Sequence, residues 1–324
     1  MARTLLHGSC LENLGWLALK SHSGCIGFVK TKNLQLTRQW RDQGGRLKPP
    51  PFSYVRAQTL EDAVDMLSGS NGEAKVIAGG QSLMPMLNFR LLAPDTLIDI
   101  SRLPELEGIS EDDACVVIGA GVRHRQLLES PLLAARFPVV PEAMSHVAHL
   151  AIRNRGTIGG SICHADPAAE LPMLMLLLDA TLTARGPSGS RDIPASDFFE
   201  FSLTTCLAED EIVTSVRLPW LPEGAGWGFT EVARRHGDFA LAGVAAIIAA
   251  DDVRIAVMGV HETPLRIPEA ERIISNGGGI DDAIAAVRSA VEPNDDLQAS
   301  ADYRRHLVGV LAGRVIREAM GRRT

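Results

Sequence analysis

The sequence predicts an α+β protein, with a first region of about 170 residues in which strands and helices alternate and a smaller strand-then-helix region of about 100. Three observations carry this prediction. Apolar runs of strand length interleave with stretches of helical period from Lys48 to Pro219. The composition breaks at "WLPEGAGWG" (Trp220 to Gly228), which reads as a linker. Beyond it, a hairpin pattern leads into three helical segments.

In chain order, residues 1–48 stand apart. They hold eight Lys/Arg against two acidic residues, a net of +6 that leaves −13 for the remainder. They show no clear period, and the longest apolar stretch, "LGWLAL", is interrupted by a glycine. A secretory leader needs a longer apolar centre and a small-residue cleavage site. This segment reads as a loosely ordered basic extension or a misplaced start of translation, with a partner-binding arm as the other reading.

Regular patterning begins at "KPPPFSYVRA". Thr59 followed by Asp62 has the form of a helix cap, and "TLEDAVDMLSG" sets Leu60, Ala63, Val64 and Leu67 on one face before Gly69 stops it. "AKVIAGG" reads as a short buried strand, "SLMPMLNFR" as a turn or two of helix, and "DTLIDIS" as a strand after Pro94. "ACVVIGAG" is a third strand and "RHRQLLES" a helix. "LLAARFPVVPEAMSHVAH" is helical in pieces around its prolines. "PAAELPMLMLLLDA" is a core helix leading into "TLTARGPSGSRDIP", a strand and a turn, and "EIVTSVRLP" closes the region as a strand. In the smaller region, "GVAAIIAADDVRIAVMGV" forms a hairpin around Asp251-Asp252. In "ADYRRHLVGVLAGRVIREAM", Leu307, Val310, Leu311, Val315 and Ala319 follow helical spacing. The expected domains are therefore 49–222 and 226–324. No internal repeat or low-complexity tract is present.

Composition excludes several function classes. A net charge of −7 argues against a nucleic-acid binder, which shows a basic face. "LPMLMLLLDA" is too short to span a bilayer and carries Asp179 near its end. Cys10, Cys25, Cys115, Cys163 and Cys206 lack C-x-x-C spacing and are odd in number, which fits a reducing, cytoplasmic setting and no disulfide framework. Their scatter also excludes a four-thiolate zinc or iron–sulfur site in this chain.

Chemistry concentrates in two glycine-rich stretches, "AGGQSLMPML" (Ala78 to Leu87) and "RGTIGGSICHADPAAELP" (Arg155 to Pro172). A dinucleotide fingerprint fails, because Gly119 and Gly121 are followed by His124 where a third glycine belongs. No phosphate loop with G-K-[ST] and no G-x-S-x-G elbow occurs. Two backbone nests could instead share a diphosphate, with Gln81, Ser82, Thr157 and Ser161 adding side-chain donors. The competing reading is that each glycine pair makes only a tight turn.

Both stretches resemble the FAD-binding medium subunit of the molybdenum-containing hydroxylases, the family of carbon monoxide dehydrogenase and xanthine dehydrogenase. "FTEVARRHGDFALAGVAA" is similar to a third marker of that family, and the likeness runs from about Lys48 to the end. The resemblance implies an FAD-binding domain of two small α/β subdomains of the PCMH type, about 49–105 and 106–222, and a smaller α+β C-terminal domain. It implies one FAD loop at Ala78, Gly79, Gly80, Gln81, Ser82 and Leu83, and a second at Thr157, Ile158, Gly159, Gly160 and Ser161. Glu170 falls where the family sets a carboxylate against the adenosine ribose, a group that accepts from ribose hydroxyls. Leu203 falls where many members carry a tyrosine near the isoalloxazine.

The implied function is electron relay. Partners would be an iron–sulfur small subunit and a molybdopterin-binding large subunit, assembled as a dimer of heterotrimers, with NAD, a quinone or another carrier as acceptor. No catalytic acid–base pair or metal ligand set is assigned to this chain. A self-sufficient FAD-dependent oxidase or reductase with the same cradle is the alternative, and a docking protein that has lost its flavin is a third. Cys163, His164 and Asp166 in "CHAD" read as a turn rather than a metal site, since adjacent loop residues rarely ligate one ion well. His146 and His149 read as a structural pair.

Overall fold

The computed structural model describes residues 48–324 and two short strands, β1 (Trp16–Lys20) and β2 (Ile26–Lys30), paired antiparallel. The rest of the N-terminal extension, with the expectation attached to it, lies outside the described residues.

The first unit runs β3 (Ser53–Arg56), α1 (Leu60–Gly69), β4 (Ala74–Ile77), α2 (Leu83–Asn88) and β5 (Thr96–Asp99). Its strands form a parallel sheet in the order β3-β5-β4. Helix α1 starts where the sequence indicates. Thr59 Oγ1 accepts the Asp62 N–H at 3.1 Å, and Asp62 Oδ2 accepts the Gln58 N–H at 2.8 Å. Ala63, Val64 and Leu67 then face Ile98 and Ile100 in a small core. Because the sheet is parallel, Arg56, Ile77 and Asp99 all end at one edge, where "AGGQS" leaves β4. A crevice at the carboxyl ends of parallel strands is the usual ligand position in such sheets.

The second unit begins with β6 (Ile109–Glu111) and β7 (Cys115–Gly119). One helical excursion follows, comprising α3 (His124–Glu129), α4 (Pro131–Arg136), α5 (Val139–His146), α6 (Leu150–Arg153), α7 (Ile158–His164) and α8 (Glu170–Leu177). The chain returns through β8 (Thr181–Gly186), β9 (Gly189–Pro194), the short pair β10 (Phe199–Phe201) and β11 (Thr204–Thr205), and β12 (Ile212–Pro219). The five long strands pair antiparallel in the order β6-β7-β12-β8-β9. The sheet is antiparallel because its helices fall between β7 and β8 only, and β12 inserts between those two strands. "TLTARGPSGSRDIP" makes two strands rather than one, turning between Gly186 and Gly189.

The third unit is a meander of β13 (Gly226–Val232), β14 (Ala242–Ile248), β15 (Val253–Met258) and β16 (Leu265–Arg266), covered by α9 (Pro268–Ser275), α10 (Ile280–Ala290) and α11 (Ala301–Arg322). Ile248 pairs with Val253 and the Ala249 N–H donates to Asp252 O, so the expected hairpin forms with its turn centred on Ala250-Asp251, one residue before Asp251-Asp252. Gly226 and Gly228, read as linker, lie inside β13. A Cβ at Gly226 would overlap Ala319 O and stand 2.7 Å from Arg323 N, so glycine lets α11 lie directly on the strand.

Helix α8 joins the second and third units. Leu171, Met173, Leu174, Met175 and Leu177 are all buried, because α8 packs on β14 and β15 as well as on α5 and α7. Asp179, just past its end, pairs with Arg254 at 3.1 Å and Arg266 at 2.8 Å. One continuous core thus includes Val116 and Leu182 together with Ala245 and Met258.

Candidate functional site

The first glycine loop supplies free donors. Gly80 has φ +69°, a left-handed conformation natural to glycine, and Gln81 Nε2 donates to Gly79 O at 2.9 Å. The carbonyls of Gly80 and Ser82 accept from Met84 and Met86, which starts α2. The peptide N–H groups of Gly79, Gly80, Gln81, Ser82 and Leu83 have no acceptor among the described residues. Five successive free N–H groups in a left-handed turn suit an anion with several acceptor oxygens.

A cavity of about 530 Å³ opens beside this loop, lined among others by Arg56, Gly79, Gly80, Asp99, Arg102 and Arg155. Asp99 organises its floor. It accepts from the Tyr54 hydroxyl, from Arg56 Nε at 3.1 Å and from the Ser101 N–H at 2.8 Å. Burial alone would raise its pKa, but these donors hold it at about 2. Arg102 and Arg155 have no carboxylate partner among the described residues, so the cavity carries positive charge.

The second loop spends its donors inside the fold. Thr157 caps α7 by accepting the Gly160 N–H at 3.0 Å. Ile158 N–H donates to Val122 O at 3.0 Å, Gly159 N–H to Ala120 O at 2.9 Å, and Ser161 N–H to Thr157 O at 3.0 Å. Ile158 and Gly159 thereby extend the hydrogen bonding beyond β7, and the Ser161 hydroxyl has no partner among the described residues. Behind the loop lies His124, whose Nε2 is 3.0 Å from Thr157 O. Burial pushes its pKa down to about 4, so the neutral ring donates through Nε2–H.

The two loops touch. A Cβ at Gly79 would overlap Arg155 O and stand 2.9 Å from Gly156 Cα. Sequence reasoning treated the loops as equivalent nests. The structure gives the free N–H groups to the first and makes the second its packed neighbour. Sequence reasoning missed Tyr54, Arg56 and Asp99, which line the cavity. The one available signal was a carboxylate ending the apolar strand "TLID".

The remaining expected positions gather around α7 and α8. Glu170 opens α8; burial, then the charge of Glu231, push its pKa up to about 8. The Glu231 side chain is 4% exposed, with Oε1 at 3.5 Å from His146 Nδ1, and this contact raises the imidazole's pKa. Leu203 lies in the β10–β11 turn with φ +58° and donates its N–H to Ala165 O at 3.0 Å. Its side chain is 43% exposed beside the end of α7. Cys163 reaches solvent from surroundings that desolvate the thiol and push it up to about 12. Burial lowers His164 and raises Asp166, favouring neutral forms of both. Among the described residues, no group of three or more His, Cys, Asp or Glu side chains gathers as a metal site. His146 and His149 part company: His146 faces Glu231, while His149 packs against Gly237.

Comparison with known proteins finds relatives along both regions of the chain. Residues 50–221 match the FAD binding domain in molybdopterin dehydrogenase, and residues 227–319 the CO dehydrogenase flavoprotein C-terminal domain. The chain is 40% identical to the 6-hydroxypseudooxynicotine dehydrogenase complex subunit alpha of Paenarthrobacter nicotinovorans, over 85% of this chain and 97% of that one. It is 36% identical to the carbon monoxide dehydrogenase medium chain of Hydrogenophaga pseudoflava, over 85% and 99%. The solved carbon monoxide dehydrogenase of that organism superposes with a TM-score of 0.83 over the same shares of the two chains. Five free peptide donors on a loop that touches its partner loop are a fit place for a dinucleotide diphosphate, and the chain belongs to the FAD-binding flavoprotein family of the molybdopterin dehydrogenases, oxidoreductases whose cofactor is FAD.

Proposed function

We propose that this chain is the FAD-carrying subunit of a multi-subunit molybdenum hydroxylase. It would relay electrons from the iron–sulfur clusters of a small partner subunit to an external acceptor such as NAD or a quinone. A molybdopterin-binding large subunit would complete a heterotrimer, paired as a dimer of heterotrimers in the cytoplasm. The observation that carries the reading is the run of free N–H groups from Gly79 to Leu83, held against the second glycine loop.

In this reading, residues 49–222 hold the cofactor and 226–324 form the C-terminal flavoprotein domain. The peptide N–H groups of Gly79, Gly80, Gln81, Ser82 and Leu83 hold the diphosphate, with Ala78 at the strand end. Thr157, Ile158, Gly159 and Gly160 form the opposing wall, and Ser161 offers its free hydroxyl. Glu170 accepts from the adenosine ribose, and Leu203 gives an apolar surface to the isoalloxazine. When bound, FAD supplies a two-electron store between donor and acceptor. The chain's own task is to bind, orient and shield it.

Support for a relay rather than a complete enzyme comes from the third unit. Its sheet and helices are filled by their own core, with Val257, Val308, Leu311 and Ile316 fully buried. Among the described residues, no helix is long and apolar enough to cross a membrane. The test is direct. Purified chain is expected to be yellow, to release FAD on denaturation, and to be inert toward organic substrates until its iron–sulfur and molybdenum partners are added. Substrate turnover by the isolated chain would replace the relay with the self-sufficient oxidase.

A further inference from the structure

One guanidinium ties the two glycine loops together. Arg123 stands at the start of α3, where its backbone bridges Thr157 and the His124 N–H donates to Gly156 O at 3.0 Å. Its side chain then crosses the seam between the first two units. Nη1 donates to Arg155 O at 2.5 Å and Nη2 to Ser101 O at 3.1 Å. Ser101 follows β5 in the first unit, and Arg155 precedes the second loop, so one planar fork holds a main-chain carbonyl of each. Arg155 O is also the atom on which Gly79 packs. Fork, carbonyl and glycine form a single chain of contacts that sets the gap between the loops.

The same residue brings charge without a counter-ion. Arg123 makes no ion pair among the described residues, and Asp99 is already held by Tyr54 and Arg56. Burial disfavours the charged guanidinium, and the like charge of Arg155 adds to that, against weaker help from Glu107 and Asp99. Like charges repel, and an anion beside both guanidinium groups relieves the repulsion. Arg155 and Ser101, whose carbonyls Arg123 holds, both line the cavity beside the first loop, where the peptide N–H groups are free.

We infer that Arg123 is a positioning residue for the FAD diphosphate, fixing the gap between the two loops and lending its positive charge to the anion held there. The inference rests on the proposed reading of this cleft as the FAD site.

Full-length protein stripped of flavin, titrated with FAD at low and high salt as wild type, Arg123→Met and Arg123→Lys, tests it. Arg123→Met is expected to weaken FAD binding by at least about tenfold, the loss of one charge-assisted contact or more, and to flatten the salt dependence. Arg123→Lys is expected to restore the salt dependence but only part of the affinity, since an ammonium cannot span both carbonyls. Inorganic pyrophosphate is expected to raise the thermal midpoint of the wild type and leave that of Arg123→Met unchanged. Equal FAD affinity in wild type and Arg123→Met overturns the inference alone. So does a loss that follows apo-protein stability with the salt dependence intact, which marks a purely structural role. Wild-type protein that binds no FAD overturns the reading of the cleft itself.

Discussion

Replacing Gly79 by alanine tests the contact between the loops with one methyl group. Its Cβ would overlap Arg155 O and stand 2.9 Å from Gly156 Cα, where ordinary contact begins at 3.4 Å. The loops must therefore open by about 0.5 Å against Gly156 and further against Arg155, at an overpacking cost of about 1–3 kcal/mol. The larger effect falls on the ligand. A hydrogen bond of about 2.9 Å stretched past about 3.5 Å is lost, and each charge-assisted bond to the diphosphate contributes roughly 1.5–3 kcal/mol. One lost bond weakens FAD by about 10–150-fold. Titration of the apo-protein by flavin fluorescence quenching reads the affinity, and urea denaturation reads the stability. Gly69→Ala, with nothing within 4 Å of its new methyl, serves as the neutral comparison. FAD affinity in Gly79→Ala within about twofold of wild type would show that the loops do not act together on one ligand.

Other outcomes follow from the same geometry. Gly80→Val puts a branched side chain at φ +69° and is expected to release flavin, whereas Gly160→Val crowds Thr157 Oγ1 at 2.8 Å and also loosens the α7 cap, at about 1 kcal/mol; flavin content after gel filtration and thermal midpoints separate the two. Burial, then Glu231, hold Glu170 at about 8, above its unfolded value, so its contribution to stability is full below about 4.5 and is lost as pH rises toward 8. Glu170→Gln is expected to flatten that decline in urea denaturation across the range. Asp99 has the opposite sign: held at about 2, its contribution is present above about pH 4 and lost as pH falls toward 2, and Asp99→Asn is expected to remove that acid slope. Gly226→Ala must displace α11 and is expected to cost about 3 kcal/mol or more, while Gly321→Ala, in α11 with open space around it, is expected to gain about 0.5–1 kcal/mol in thermal melts.

Much of this molecule can be read from local chemistry. Thr59 and Asp62 announce α1 because the cap uses neighbours in sequence, and the turn at Ala250-Asp251 is flanked by two apolar runs that pair with each other. What escaped depends on distant partners. Gly226 and Gly228 look like a linker until α11, some ninety residues later in the chain, comes to lie on them. Helix α8 reads as core, but only the third unit explains why its every face is apolar. The donors of the second loop look free in sequence, because Ala120 and Val122, which accept them, lie a whole helical excursion away. Arg123 carries no motif, and its role depends on Ser101 and Arg155 meeting it from opposite sides of a seam.

The most direct measurement is the flavin content of the purified protein, with the released cofactor identified by chromatography beside the same determination on Gly79→Ala. Equimolar FAD in the wild type and little or none in the variant is the expected result. A colourless wild type that takes up no FAD on incubation, or equal FAD in both proteins, would contradict a diphosphate held by the Gly79–Leu83 peptides against the second loop.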